Sequence, residues 1–72
     1  MKLIQSPKDL GALLRERRKA LGYTQSQVAS LCGTGTRFVS DLENGKPTIE
    51  FGKTLVLATT LGIDMHAEVR GE

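Results

Sequence analysis

Thr24-Gln25-Ser26-Gln27-Val28-Ala29-Ser30-Leu31-Cys32-Gly33-Thr34-Gly35-Thr36-Arg37-Phe38-Val39-Ser40-Asp41-Leu42-Glu43 is the stretch from which the rest of the chain can be read. Thr24 is followed three residues later by Gln27, the spacing of a capping box, in which each side chain satisfies a backbone donor of the other residue. A helix is expected to open there, with Val28, Ala29 and Leu31 on its inner face and Cys32 at the edge. Gly33-Thr34-Gly35 breaks it with a short turn, for which Gly33 supplies a residue tolerant of positive φ. A further helix is expected from Thr36 to about Asn44, with Phe38, Val39 and Leu42 inward. Two helices that cross at about 90–120° through a turn of about 3–4 residues need a small residue where they touch. Ala29 is that residue, and Val39 wedges between the two. The spacing from Gln25 to Ala29, Gly33 and Val39 therefore predicts a helix-turn-helix.

The flanks extend the helical pattern. Ser6-Pro7-Lys8-Asp9 is a helix start: Ser6 can cap free N–H groups, Pro7 suits the first turn and Asp9 meets the positive end of the dipole. Leu10, Leu13, Leu14 and Leu21 recur at helical spacing, and Leu21-Gly22-Tyr23 ends that segment. Asn44-Gly45-Lys46-Pro47 stops the helix that begins at Thr36. A last helix is expected from Thr48–Glu50, burying Phe51, Leu55, Ala58 and Leu61 with Leu57 beside them, and ending at Gly62. The tail changes period. Ile63, Met65, Ala67 and Val69 alternate with Asp64, His66, Glu68 and Arg70, which predicts a strand over 63–70. A lone strand has no partner in its own chain, so pairing with the same strand of a second copy is expected. The expected organisation is one domain over residues 1–72, helical from 6 to 62.

Composition narrows the function. With 72 residues, one small core contributes only about 3–5 kcal/mol, and regular helix packing or self-association is needed. Cys32 is the only cysteine and His66 the only histidine, so neither an internal disulfide nor a zinc cluster is expected. No nucleophile triad, phosphate loop or paired-carboxylate motif is present, and a chain this short hardly encloses a pocket of about 300 Å³. No enzymatic activity, cofactor or metal is expected. No apolar run is long enough for a membrane span, and Met1–Pro7 lacks the apolar stretch of a signal peptide, so a cytoplasmic protein is expected. The net charge of +2 hides an asymmetry: residues 1–46 carry eight Lys/Arg against four acids, while residues 47–72 carry two against four. A basic front suits a polyanion.

Thr24-Gln25, Val28-Ala29, Gly33, Val39-Ser40 and Leu42-Glu43-Asn44-Gly45-Lys46-Pro47 together resemble the Cro/CI-type (XRE) helix-turn-helix repressors over about residues 8–63. More narrowly, Arg37 to Thr48, Gly52-Lys53-Thr54-Leu55 and the Leu61-Gly62-Ile63 strand start resemble the HipB-type antitoxins, short repressors encoded beside HipA-type kinase toxins. The resemblance implies an all-α, lambda-repressor-like domain of four to five helices with a short C-terminal dimerising β-strand. It implies a repressor that binds double-stranded palindromic operator DNA as a homodimer, in the bacterial nucleoid, with a HipA-type kinase as partner.

The helix from Thr36 would then be the recognition helix, its N-terminal end in the major groove. Its outward residues are Thr36, Arg37, Ser40, Asp41 and Asn44. Family members commonly touch base edges from the positions of Thr36, Arg37 and Asp41. Arg37 has the planar fork that takes guanine O6 and N7 together, and Thr36 and Ser40 can meet a base or a phosphate. Asp41 either accepts from cytosine N4 or orients Arg37 one turn away. Phosphate contacts are expected from Gln25, Asn44, Lys46 and Thr48, which position without reading sequence. Arg18 interrupts the apolar stripe between Leu14 and Leu21, and Glu43 follows Val39 at i+4. Opposite charges on facing stripes predict a partly buried ion pair, as at the matching positions of the phage repressors. Dimerisation is expected to use Ile63, Met65, Ala67 and Val69. Two alternatives stand beside this reading: a stand-alone phage-type or controller regulator, and a protein-interaction module without DNA binding.

Overall fold

The computed structural model describes residues 1–71; Glu72, the last residue of the expected domain, lies outside the described residues. The order of elements is α1 (Pro7–Ala20), α2 (Gln25–Cys32), α3 (Thr36–Glu43) and α4 (Phe51–Thr60). Local signals set each boundary. The Ser6 hydroxyl accepts from the Asp9 N–H at the start of α1. At α2 both halves of the capping box form: the Gln27 N–H donates to Thr24 Oγ1 at 3.1 Å, and the Thr24 N–H donates to Gln27 Oε1 at 2.8 Å. Gly33 ends α2 at φ +67°, a conformation that would strain any other residue. The start of α4 lies later than the Thr48–Glu50 expected, at Phe51, because the Glu50 carboxylate accepts from the Gly52 and Lys53 N–H groups and caps the helix itself.

The core is Leu14, Val28, Ala29, Val39, Leu42, Leu57, Ala58 and Leu61. The helix α3 packs on both α1 and α2, and α4 packs on α2. Gly11 makes the α1–α3 approach possible. A Cβ there would collide with the Leu42 carbonyl oxygen and lie 2.8 Å from that of Glu43.

Several expected inner positions face out. Leu21 and Leu31 are exposed, and α4 is rotated from its expected face. Thr54, Leu57, Ala58 and Leu61 are buried, whereas Phe51 is 62% and Leu55 37% exposed. The Thr54 hydroxyl is satisfied inside the core by donating to the Glu50 carbonyl at 2.8 Å. The strand expected over 63–70 is not formed: no strand occurs among the described residues. Ile63 still packs against the core, but Met65, Ala67 and Val69 are exposed. The physical reason is that a strand exists only by pairing, and one chain offers no second segment.

A polar contact also fastens α3 to α1. Arg18 Nε donates to Glu43 Oε2 at 2.6 Å and Nη2 to Oε1 at 3.0 Å, a bidentate pair with both residues buried. Arg18 Nη1 donates to the Tyr23 carbonyl at 2.7 Å, just before α2, and Gln25 Nε2 donates to Glu43 Oε1 at 3.1 Å. No buried side-chain nitrogen or oxygen among the described residues lacks a partner. Burial pushes the Glu43 carboxyl up, but hydrogen bonds from Arg18 and Gln25, with the Arg18 and Arg15 charges, hold it below its ordinary value. The hydrogen bond to Glu43 raises Arg18 against its own burial, so Arg18 stays charged.

Removing one partner of such a pair leaves a buried unpaired charge, so Glu43→Ala should cost about 3–5 kcal/mol, nearly all that a core of this size contributes. The double replacement Arg18→Met with Glu43→Leu should recover much of that loss. Because Glu43 is depressed in the fold, its contribution is complete above the unfolded carboxylate pKa and is lost as pH falls through the lower folded value. The gap in melting temperature between the wild type and Glu43→Gln should therefore narrow below about pH 4. A melting temperature unmoved by Glu43→Ala would show that the pair contributes nothing.

Candidate nucleic-acid interface

With Phe38 half-buried and Val39 and Leu42 turned into the core, the outward surface of α3 is fixed. Thr36 and Arg37 are exposed at its first turn, Ser40 and Asp41 are half-buried, and Asn44 is exposed just past its end. Gly35 precedes α3 without a side-chain cap, which leaves the helix start open beside Thr36 and Arg37.

Three charged side chains converge on this face. Asp41 Oδ2 lies 3.8 Å from Arg37 Nε and 3.5 Å from Lys46 Nζ. The Lys46 N–H donates to the Asp41 carbonyl at 3.0 Å, which holds the residue after the Gly45 turn against α3. Asn44 Nδ2 lies 3.5 Å from Ser40 Oγ. Gln25 sits at the start of α2 with its amide on Glu43, so the last turn of α3 anchors it. Thr48 is exposed in the connection to α4. Thus Arg37, Asp41 and Lys46 share one cluster, Ser40 pairs with Asn44, and Gln25 belongs to the buried Arg18–Glu43 network. Ile63, Met65, Ala67 and Val69 lie on the tail after α4.

Other residues with positioning roles were not read from the sequence. Arg17 Nε donates to the Leu61 carbonyl at 2.7 Å and so closes the end of α4. Nothing in the spacing of Arg17 marks this, because its partner is a backbone group 44 residues away. Gly11 carried a usable signal: glycine inside a helix costs about 1 kcal/mol relative to alanine, and a close backbone approach explains its presence. Lys53 Nζ stands 5.8 Å from the centre of the Phe38 ring, joining α4 to α3. An open recess of about 350 Å³ lies between the α2–α3 turn and α4, lined by Cys32, Thr34, Lys53 and Val56 among others; it is a surface hollow, not an enclosed pocket. No helix among the described residues is long and apolar enough to cross a membrane.

Known proteins share this arrangement. The chain is 44% identical over 71 residues to an uncharacterized HTH-type transcriptional regulator, y4mF, of Sinorhizobium fredii (strain NBRC 101917 / NGR234), covering 99% of this chain and 93% of that protein. Among solved structures, a chain of a HipB-O4 20mer complex superposes with a TM-score of 0.87 at 23% identity, covering 97% of this chain and 99% of that one. A chain of the HipA-HipB-O2-O3 complex matches with the same TM-score, identity and coverage. At that identity the likeness establishes the fold, which is that of HipB. A family model described as "Helix-turn-helix domain" matches residues 9–70, and with α2, the Gly33 turn and α3 in this arrangement the chain belongs to the helix-turn-helix domain family.

Proposed function

We propose that this chain is a sequence-specific DNA-binding transcriptional repressor that acts as a homodimer on a palindromic operator. In this reading it is the antitoxin of a HipA-type kinase and represses its own operon. The observation that carries DNA binding is the surface of α3: its core-facing side is filled, and the opposite side presents Thr36, Arg37, Ser40 and Asp41 with Lys46 alongside. The Arg37 side chain is 91% exposed, free to reach a base edge. Gln25, Asn44, Lys46 and Thr48 flank that surface and contact phosphates. The HipB likeness supports the antitoxin assignment, since those structures are described as complexes with HipA or a 20mer.

Dimerisation is supported by what the single chain leaves uncovered. Leu31, Phe51, Leu55, Val56, Met65 and Val69 are exposed large apolar side chains of α2, α4 and the tail. A second copy supplies the missing partner strand for Ile63–Val69. It also sets two recognition helices about 34–36 Å apart, one in each of two successive major grooves.

A second reading, a stand-alone regulator with no toxin, is favoured by the Sinorhizobium relative, whose name specifies only transcriptional regulation. Stable co-elution of the full chain with the product of a kinase-like gene beside its own supports the antitoxin reading; failure to associate supports the stand-alone one.

Arg37→Ala should weaken operator binding by about 1–3 kcal/mol and relax preference at one base position per half-site. Equal losses on operator and random duplexes would make Arg37 a phosphate contact instead. Lys46→Ala should weaken both alike and reduce the salt slope by about one, and an unchanged slope would remove Lys46 from the interface.

Deleting residues 63–72 should lower dimer population and operator affinity together, read by sedimentation at equal micromolar concentrations. A truncated chain that stays as dimeric as the intact one would assign the tail a different task.

A further inference from the structure

One carboxylate serves two cations on the exposed side of α3, and both reach the same oxygen. Asp41 Oδ2 is 3.8 Å from Arg37 Nε and 3.5 Å from Lys46 Nζ. The acid is the fixed member of the trio. Its side chain is 29% exposed, against 91% for Arg37 and 50% for Lys46. Lys46 is held nearby through its own backbone bond to the Asp41 carbonyl.

We infer that Asp41 is a specificity-determining residue, which restrains Arg37 from the backbone of arbitrary DNA while leaving it able to grip guanine. The inference rests on the DNA-binding reading above. Its geometric basis is the choice of nitrogen. Asp41 faces Arg37 Nε, which leaves the terminal Nη1 and Nη2 for guanine O6 and N7. At an operator carrying guanine in register, Arg37 engages the base without leaving Asp41. On a random duplex there is no such base, and Arg37 gains contacts only by turning to phosphates. That movement strands the Asp41 charge against a polyanion. The penalty therefore falls on wrong sequences, which is how a repulsive element contributes to discrimination. Asp41 touches no base in this arrangement; it acts through Arg37.

The test uses the full chain, an operator duplex selected by that chain from a randomised library, and a scrambled duplex of equal length. Asp41→Asn keeps the shape and removes the charge. It should tighten binding to the scrambled duplex by about tenfold at 0.1 M salt and steepen the salt slope there by about one. Operator affinity should rise by less than that, so the specificity ratio falls. Asp41→Glu, which keeps the charge, should restore discrimination. A thermal melt of each variant reports the fold separately.

Three results would overturn the inference: unchanged affinities on both duplexes, an equal rise on both, or an operator loss confined to one base position. The last would make Asp41 a direct reader of cytosine. Failure of the wild-type chain to select any sequence would instead overturn the DNA-binding reading itself.

Discussion

The Arg18–Glu43 pair is the contact on which the arrangement of the other parts depends. It joins α1 to the last turn of α3 through two parallel hydrogen bonds. Through the Tyr23 carbonyl and the Gln25 amide, the same two side chains also hold the entry to α2. Three helices thus meet at one buried carboxylate. In a domain this small, apolar packing alone leaves helix orientations loosely specified, because residues of similar volume can repack. A bidentate pair in which every side-chain nitrogen and oxygen has a partner has far fewer acceptable geometries. Gly11 complements it by letting the α1 backbone reach the end of α3 directly. Together they fix which side of α3 faces outward.

The parts legible in the sequence are those with short-range causes. Ser6, the Thr24–Gln27 capping box and Gly33 act within a few residues, and the helix ends lie close to where these residues predict them. Arg18 and Glu43 were visible because each charge interrupts an apolar stripe. Three features were not legible for distinct physical reasons. The α4 face depends on which surface its neighbours present, so the buried residue is Thr54, with its hydroxyl satisfied by its own helix, in place of the more apolar Phe51. Arg17 caps a carbonyl distant in sequence, which no local pattern encodes. The Arg37–Asp41 half of the α3 cluster follows from i+4 spacing, but the place of Lys46 in it depends on the turn after α3.

The alternating tail and the outward side of α4 pose one question together. The sequence has the period of a strand from Ile63 to Val69, and the single chain leaves it without partners. Phe51, Leu55 and Val56 are likewise apolar and uncovered. In the proposed dimer both have the same resolution, since a second copy completes the strand and covers the apolar side chains. The proposed dimer thus divides the chain into two separable surfaces: polar α3 for a polyanion, and α4 with the tail for a second copy. The charge asymmetry between residues 1–46 and 47–72 follows the same division.

The most direct test of the account is an amide chemical-shift map of the isotope-labelled full chain titrated with its selected operator duplex. The account predicts that the largest changes fall on residues 36–41 and at the start of α2 around Gln25. The Arg18 side-chain resonance should stay nearly fixed, since the pair with Glu43 is already formed. Changes confined to α4 and the tail, with α3 silent, would contradict it.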